Sequence, residues 1–149
     1  MTPPLRLDVR REGAGEVQVS LDVPSDLAFV GPAVELVVGS CPAGCLSPRR
    51  LRFNLRTALA EALSNAIAYG NRSDPTKVVH VRMVAERASV RIYVTDDGQG
   101  FDPTRIPDPT LPENRERDAG RGLFVLRHLV DSVSFNAKGN AICLTLRAE

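Results

Sequence analysis

The sequence predicts an α+β fold, a two-layer sandwich with helices on one face of a mainly antiparallel mixed sheet. The first sign is apolar alternation of period two, which marks half-buried strands in separated segments. The second is apolar spacing of three and four residues between them, which marks helices. The third is order: strand, helix, helix, two strands, loop, helix, two strands. Hairpins and adjacent helices arranged this way put all helices on one side of the sheet.

Glu16 to Val23 alternates, with Val17, Val19, Leu21 and Val23 on one face, and Pro24 stops it. Ser25 and Asp26 can cap a first turn. Pro32 cannot donate from a helix interior, so the longer helix is expected to begin near Pro32 and to end by Gly39. Cys41 to Leu46 reads as a loop. Ser47-Pro48 then offers an oxygen cap followed by proline at the first helical position. Leu51, Leu55, Ala58, Leu59, Ala62 and Ala66 form one apolar stripe on the helix that follows. Glu61 and Asn65 sit on its shoulder, four apart, so both project to the same side one turn from each other. Gly70-Asn71 ends it.

Lys77 to Ala85 and Ala88 to Asp96 read as an antiparallel hairpin turning at Glu86-Arg87. Asp102 to Asp118 carries Pro103, Pro107, Pro109 and Pro112 among charged residues, which predicts a long loop of the lid or disordered kind. Helical spacing returns from Leu123 to Val130, and Gly120-Arg121-Gly122 opens that helix. Ser132 to Asn136 and Ala141 to Arg147 form a last hairpin across Lys138-Gly139.

With 149 residues, 43% of them hydrophobic, the chain is long enough for one core and too short for two ordinary domains. Residues 1–149 are read as a single domain. Lys and Arg number 19 against 18 Asp and Glu, and the net charge of +1 gives no electrostatic footprint for nucleic acid or an anionic membrane. No apolar run nears the roughly 20 residues that span a bilayer, and the N-terminal Met1-Thr2-Pro3-Pro4-Leu5-Arg6 lacks a secretory apolar region. A cytoplasmic location is expected. Cys41-Pro42-Ala43-Gly44-Cys45 invites a metal or disulfide reading. No second Cys or His pair supplies the remaining ligands and a reduced cytosol disfavours bridges, so it is read as a plain loop.

Three segments carry the candidate chemistry. In Val94-Thr95-Asp96-Asp97-Gly98-Gln99-Gly100-Phe101, an apolar strand runs into a carboxylate and two glycines. Alone, that string marks a tight turn. Asp96 either caps the turn or, as an acceptor-only group, takes a hydrogen bond from the exocyclic amine of adenine. Gly98 and Gly100 let backbone pass close to a purine. Gly120-Arg121-Gly122-Leu123-Phe124 opens a helix, whose free N–H groups and partial positive charge suit phosphate. Arg121 either adds charge there or is simply solvated. Glu61 through Asn71 supplies the third segment. The neutral oxygen of Asn65 suits Mg²⁺, and Glu61 is placed to take a proton from an attacking hydroxyl. No G-x-x-x-x-G-K motif is present.

In order, spacing and context these segments resemble the N box and the two glycine boxes of the GHKL ATPases, the superfamily of gyrase, a heat-shock chaperone, histidine kinases and a mismatch-repair protein. The small serine kinases that act as bacterial anti-sigma factors are the most similar type, over about Val17 to Arg147. The resemblance implies ATP and Mg²⁺ as cofactors, with Asn65 as the protein's metal ligand. It implies nucleotide contacts from Asn65, Asp96, Gly98, Gly100, Gly120, Arg121, Gly122, Leu123 and Phe124, Glu61 as base, and a lid over 102–118. It further implies a sigma factor and an anti-sigma-factor antagonist as partners, and self-pairing of the kind such relatives show. Two other readings stand beside this one: a nucleotide-gated binding module with little or no transfer, and a detached catalytic domain serving a histidine kinase. His80 and His128 lie outside any helical hairpin that a histidine kinase would phosphorylate. One departure is visible. Where the family often has a threonine after the glycine of the final hairpin, Gly139 is followed here by Asn140 and Ala141.

Overall fold

The computed structural model describes residues 5–13, 15–98 and 118–148. Six strands form one open sheet: β1 (Arg6–Glu12), β2 (Glu16–Pro24), β3 (Val78–Glu86), β4 (Ser89–Thr95), β5 (Ser132–Phe135) and β6 (Ala141–Arg147). Their spatial order is β1-β2-β3-β4-β6-β5. Every pairing among them is antiparallel, so the sheet carries no parallel component among the described residues. Alternation fixes the register. Val19 lies opposite Met83 and Met83 opposite Ile92, which sends all three to the same buried face.

Helices α1 (Val30–Gly39), α2 (Arg56–Asn65) and α3 (Asp118–Leu129) belong to the other layer. A 3₁₀ turn, Leu27–Phe29, precedes α1, and Asp26 Oδ1 caps it by accepting the Ala28 N–H at 2.9 Å. α1 starts two residues before the expected Pro32. At the third helical position proline loses nothing, because the first-turn N–H groups have no intrahelical acceptor anyway. The second helix is capped as its sequence predicts, Ser47 Oγ accepting the Arg50 N–H at 3.3 Å. It widens into π-type turns on both sides of α2, at Arg50–Leu55 and Ala66–Gly70.

The core lies between the layers. Leu55, Leu59, Leu63 and Ile67 pack from the second helix against Val19, Leu21, Met83, Ile92, Leu144 and Leu146, all essentially without exposure. Each such side chain contributes roughly 1.5–3 kcal/mol of burial free energy. Exposed ion pairs contribute far less. The Arg50–Asp131 pair, less exposed than most, joins the start of the second helix to the segment after α3, and the Asn54 amide donates to Leu129 O at 2.8 Å nearby. α3 therefore runs antiparallel to α2, with its N-terminal end beside Glu61 and Asn65.

The sequence reading missed β1. The third helix begins at Asp118, two residues before the Gly120-Arg121-Gly122 segment expected to open it. The predicted lid, apart from Asp118, lies outside the described residues, and so does Gly100.

Candidate functional site

Where the π-type turn Ala66–Gly70 ends the second helix and the chain leaves β4, the backbones approach until no side chain fits between them. A Cβ on Gly70 would collide with the carboxyl group of Asp96, and one on Gly98 with the carbonyl of Gly70. Asn71 locks this junction. Its side chain is 1% exposed; Oδ1 accepts the Asp97 N–H at 2.7 Å, while Nδ2 donates to Val78 O and Ser25 Oγ, both at 3.0 Å. Ser25 Oγ in turn donates to Lys77 O at 2.6 Å. One amide thus ties the end of the second helix to the entry of β3 and the exit of β4.

Asp96 is held from the other side as well. Its N–H donates to Asn140 O at 2.9 Å and its carbonyl accepts the Asn140 amide at 3.1 Å. Asn140 is itself set by Asn136, whose Oδ1 caps the β5–β6 turn by accepting N–H groups from Gly139 and Asn140. The departure from the family's threonine therefore places a residue that grips the backbone of Asp96. The Asp96 carboxylate is half-buried, and Oδ1 accepts the Gly98 N–H at 2.8 Å. Burial pushes its pKa above the ordinary carboxylate value; the Gly98 N–H opposes that, and the charge of Asp97 adds to it. Acceptor capacity remains on the carboxylate for a ligand's N–H donor.

At the other end, Gly122 of α3 presses on α2. A Cβ there would stand 2.5 Å from Glu61 Oε1 and 2.6 Å from Asn65 Nδ2. One glycine thus brings the predicted base and the predicted metal ligand to the first turns of α3. A helix N-terminus carries a partial positive charge that favours anions, and α3 begins beside these two side chains. Acidic, amide and N–H groups in this order can hold a magnesium-bound polyphosphate and remove a proton next to it.

The predicted residues fall into two groups, Asp96 with Gly98 and Glu61 with Asn65 and Gly122, at opposite ends of the second helix's last turns. Leu123 is buried under α3. Phe124 is exposed on its outer face, where its ring lies 4.5 Å from that of His128. Gly120 is in the helix, and the side chain of Arg121 lies outside what is described. Sequence reasoning missed Asn71, Asn140 and the contact of Gly70 with Asp96. Glycine followed by asparagine at a helix end was the available signal, but it pointed only to a helix stop.

Comparison with known proteins identifies the family of the chain. The family model described as a histidine kinase-like ATPase domain matches residues 23–146. The serine/threonine-protein kinase BtrW of Bordetella bronchiseptica is 28% identical over 99 residues, covering 65% of this chain and 70% of that protein. An anti-sigma F factor of Anoxybacillus flavithermus is 30% identical over 89 residues, 58% of this chain and 60% of its own length. The serine-protein kinase RsbW of Oceanobacillus iheyensis is 25% identical over 124 residues, 79% of this chain and 78% of its own. No helix among the described residues is long and apolar enough to cross a membrane. A family match running from the end of β2 to the end of β6 covers far more than half the sequence, and the chain belongs to the histidine kinase-like ATPase domain family.

Proposed function

We propose that this chain is an ATP-dependent protein-serine/threonine kinase that works as an anti-sigma factor, binding a sigma factor and phosphorylating its antagonist. The observation that carries this reading is the convergence of Glu61, Asn65 and Gly122. An ATP-binding module without transfer has no need of a carboxylate beside its metal ligand. The relatives named as kinases and as anti-sigma F factors support the same role.

In this reading Asp96 accepts the exocyclic amine of adenine, and Gly98 keeps the floor beneath the purine flat. Asn65 offers its amide oxygen to Mg²⁺, which when bound neutralises charge on the phosphates. Free N–H groups at the start of α3 face the phosphates. Glu61 orients the attacking serine hydroxyl and takes its proton as the new oxygen–phosphorus bond forms and the bond to the departing ADP breaks. Phosphorylation of the antagonist keeps it from releasing the sigma factor. The reading sets the protein in the cytoplasm, acting on transcription through proteins rather than by touching nucleic acid, in keeping with its net charge of +1. It allows pairing with a second copy.

The test is incubation with γ-labelled ATP and candidate antagonist proteins. Phosphoserine or phosphothreonine should appear on one of them. If ATP binds normally and no acid-stable phosphate appears on any, the kinase assignment fails and the nucleotide-gated binding role takes its place. Acid-labile phosphate would instead point to a histidine substrate.

A further inference from the structure

The turn between β5 and β6 reaches further than the two strands it joins. Asn136 opens it and Asn140 closes it, and Gly139 takes the left-handed conformation it needs, with φ of +79°. Asn136 Oδ1 accepts N–H groups from Gly139 at 2.8 Å, Asn140 at 3.1 Å and Ala141 at 3.3 Å. Its Nδ2 donates to Asn140 Oδ1 at 2.7 Å, and that bond decides which way the Asn140 amide points. With its oxygen turned to Asn136, its nitrogen donates to Asp96 O at 3.1 Å; reversed, two carbonyl oxygens would face each other there. The Asp96 carbonyl and the Asp97 N–H belong to one trans peptide and point opposite ways. Asn140 holds the first and Asn71 Oδ1 the second, at 2.7 Å, so this peptide plane cannot turn while both amides stay in place. An exposed turn residue, Asn136, thus governs the backbone that carries the Asp96 carboxylate.

We propose that Asn136 and Asn140 are positioning residues for purine recognition, a relay in series that aims the Asp96 carboxylate at the exocyclic amine of the nucleotide and acts on the nucleotide only through Asp96. The inference rests on the adenine role proposed above for Asp96 and adds the residues that set it. Direction matters because a hydrogen bond weakens steeply as its angle bends. Asp96 Oδ1 is already engaged by the Gly98 N–H at 2.8 Å, so a turn of the Asp96 backbone would redirect the carboxylate and strain that bond together. Asn140 also accepts the Asp96 N–H on its own carbonyl at 2.9 Å, a bond that any residue at this position keeps. What the asparagine side chain adds is the hold on the peptide beyond Asp96, and what Asn136 adds is the orientation of that side chain.

The test is calorimetric titration of the full chain with ATP and with inosine triphosphate, which carries a carbonyl where adenine carries its amine. Asn136→Asp keeps the oxygen that caps the turn but replaces the donor with an acceptor, so the Asn140 amide should reverse and release the Asp96 carbonyl. Its urea midpoint should stay near that of wild type, while ATP affinity falls about two- to tenfold and affinity for inosine triphosphate does not change. Asn140→Ala should give the same selective loss, and the double variant no further loss, because the two residues act in series. Equal losses for both nucleotides would mark a general loosening of the pocket and overturn the relay, as would additive losses in the double variant. Asp96→Asn separates the relay from the reading it rests on. If that variant weakens ATP while Asn136→Asp and Asn140→Ala do not, the relay falls and the adenine role of Asp96 stands; if Asp96→Asn leaves ATP affinity unchanged, both fall.

Discussion

The two ends of the candidate site are built differently. At the Asp96 end, the contacts converge on backbone: Gly98 lies against the Gly70 carbonyl, Asp96 is pinned by Asn140 on both its N–H and its carbonyl, and the Asn71 side chain accepts the Asp97 N–H. At the Glu61 end, one glycine presses on the tips of two side chains, and no hydrogen bond between described residues occupies either tip. A backbone-built end is pre-organised to recognise a rigid flat group. A side-chain end keeps groups free to follow a phosphoryl group as it moves, which is what transfer needs.

The largest expected effect separates the ends by chemistry. Glu61→Ala should lower phosphoryl transfer by about 10²–10⁴-fold, the usual worth of a positioned general base, while ATP affinity measured by calorimetry stays near wild type. Equal losses in affinity and turnover would assign Glu61 to binding and erase the distinction.

Asp96→Asn comes next and should do the reverse. It keeps shape but loses a charge-assisted hydrogen bond of about 1.5–3 kcal/mol, so ATP affinity should fall by roughly 10- to 100-fold. GTP should not gain by the same factor, because the backbone of Gly98 stays in place. Retained ATP affinity would remove Asp96 from nucleotide recognition.

A pair of alanine substitutions sharpens the contrast. Gly98→Ala forces backbone against backbone and should cost about 1–3 kcal/mol of stability, read from urea unfolding. Gly122→Ala meets only side-chain ends, which can swing away, and alanine gains up to about 1 kcal/mol of helix propensity. That variant should fold at least as well as wild type yet turn over at least about tenfold more slowly, because Glu61 and Asn65 are displaced. Stability and activity should therefore move in opposite directions at Gly122 and together at Gly98.

The same contrast governs what the sequence could reveal. Leu55, Leu59, Val19 and Ile92 announce their faces through local period, and the buried layer follows from them directly. β1 did not show itself because only Leu7 and Val9 alternate among five charged residues, and both stay exposed on an edge strand. Its existence depends on a partner, β2, that local pattern does not name. The side-chain end was legible, since Glu61 and Asn65 share a helical face by spacing alone. The backbone end was only half legible: Asp96 and Gly98 were visible, but Asn71 acts on Asp97 across 26 residues and Asn140 on Asp96 across 44. Nothing in the immediate neighbourhood of either asparagine encodes its partner.

The smallest expected effect is a pH dependence carried by Asp96. Burial raises its pKa above the ordinary carboxylate value of about 3.9. A carboxyl group must be ionised to accept a hydrogen bond from adenine's amine without offering a proton of its own, so ATP affinity should begin to fall at a higher pH than an ordinary aspartate would dictate. The effect on stability has the opposite sign. A raised folded pKa means the nucleotide-free fold prefers the protonated form; that contribution is complete below the ordinary value and is lost as pH rises through the folded one. Asp96→Asn removes the charge, so thermal midpoints of the empty variant should exceed those of wild type at neutral pH and converge with them under acid. Midpoints that instead fall at neutral pH would show that the carboxylate holds the turn through Gly98 more strongly than its burial costs, and the backbone-built end would then owe its order to a side chain.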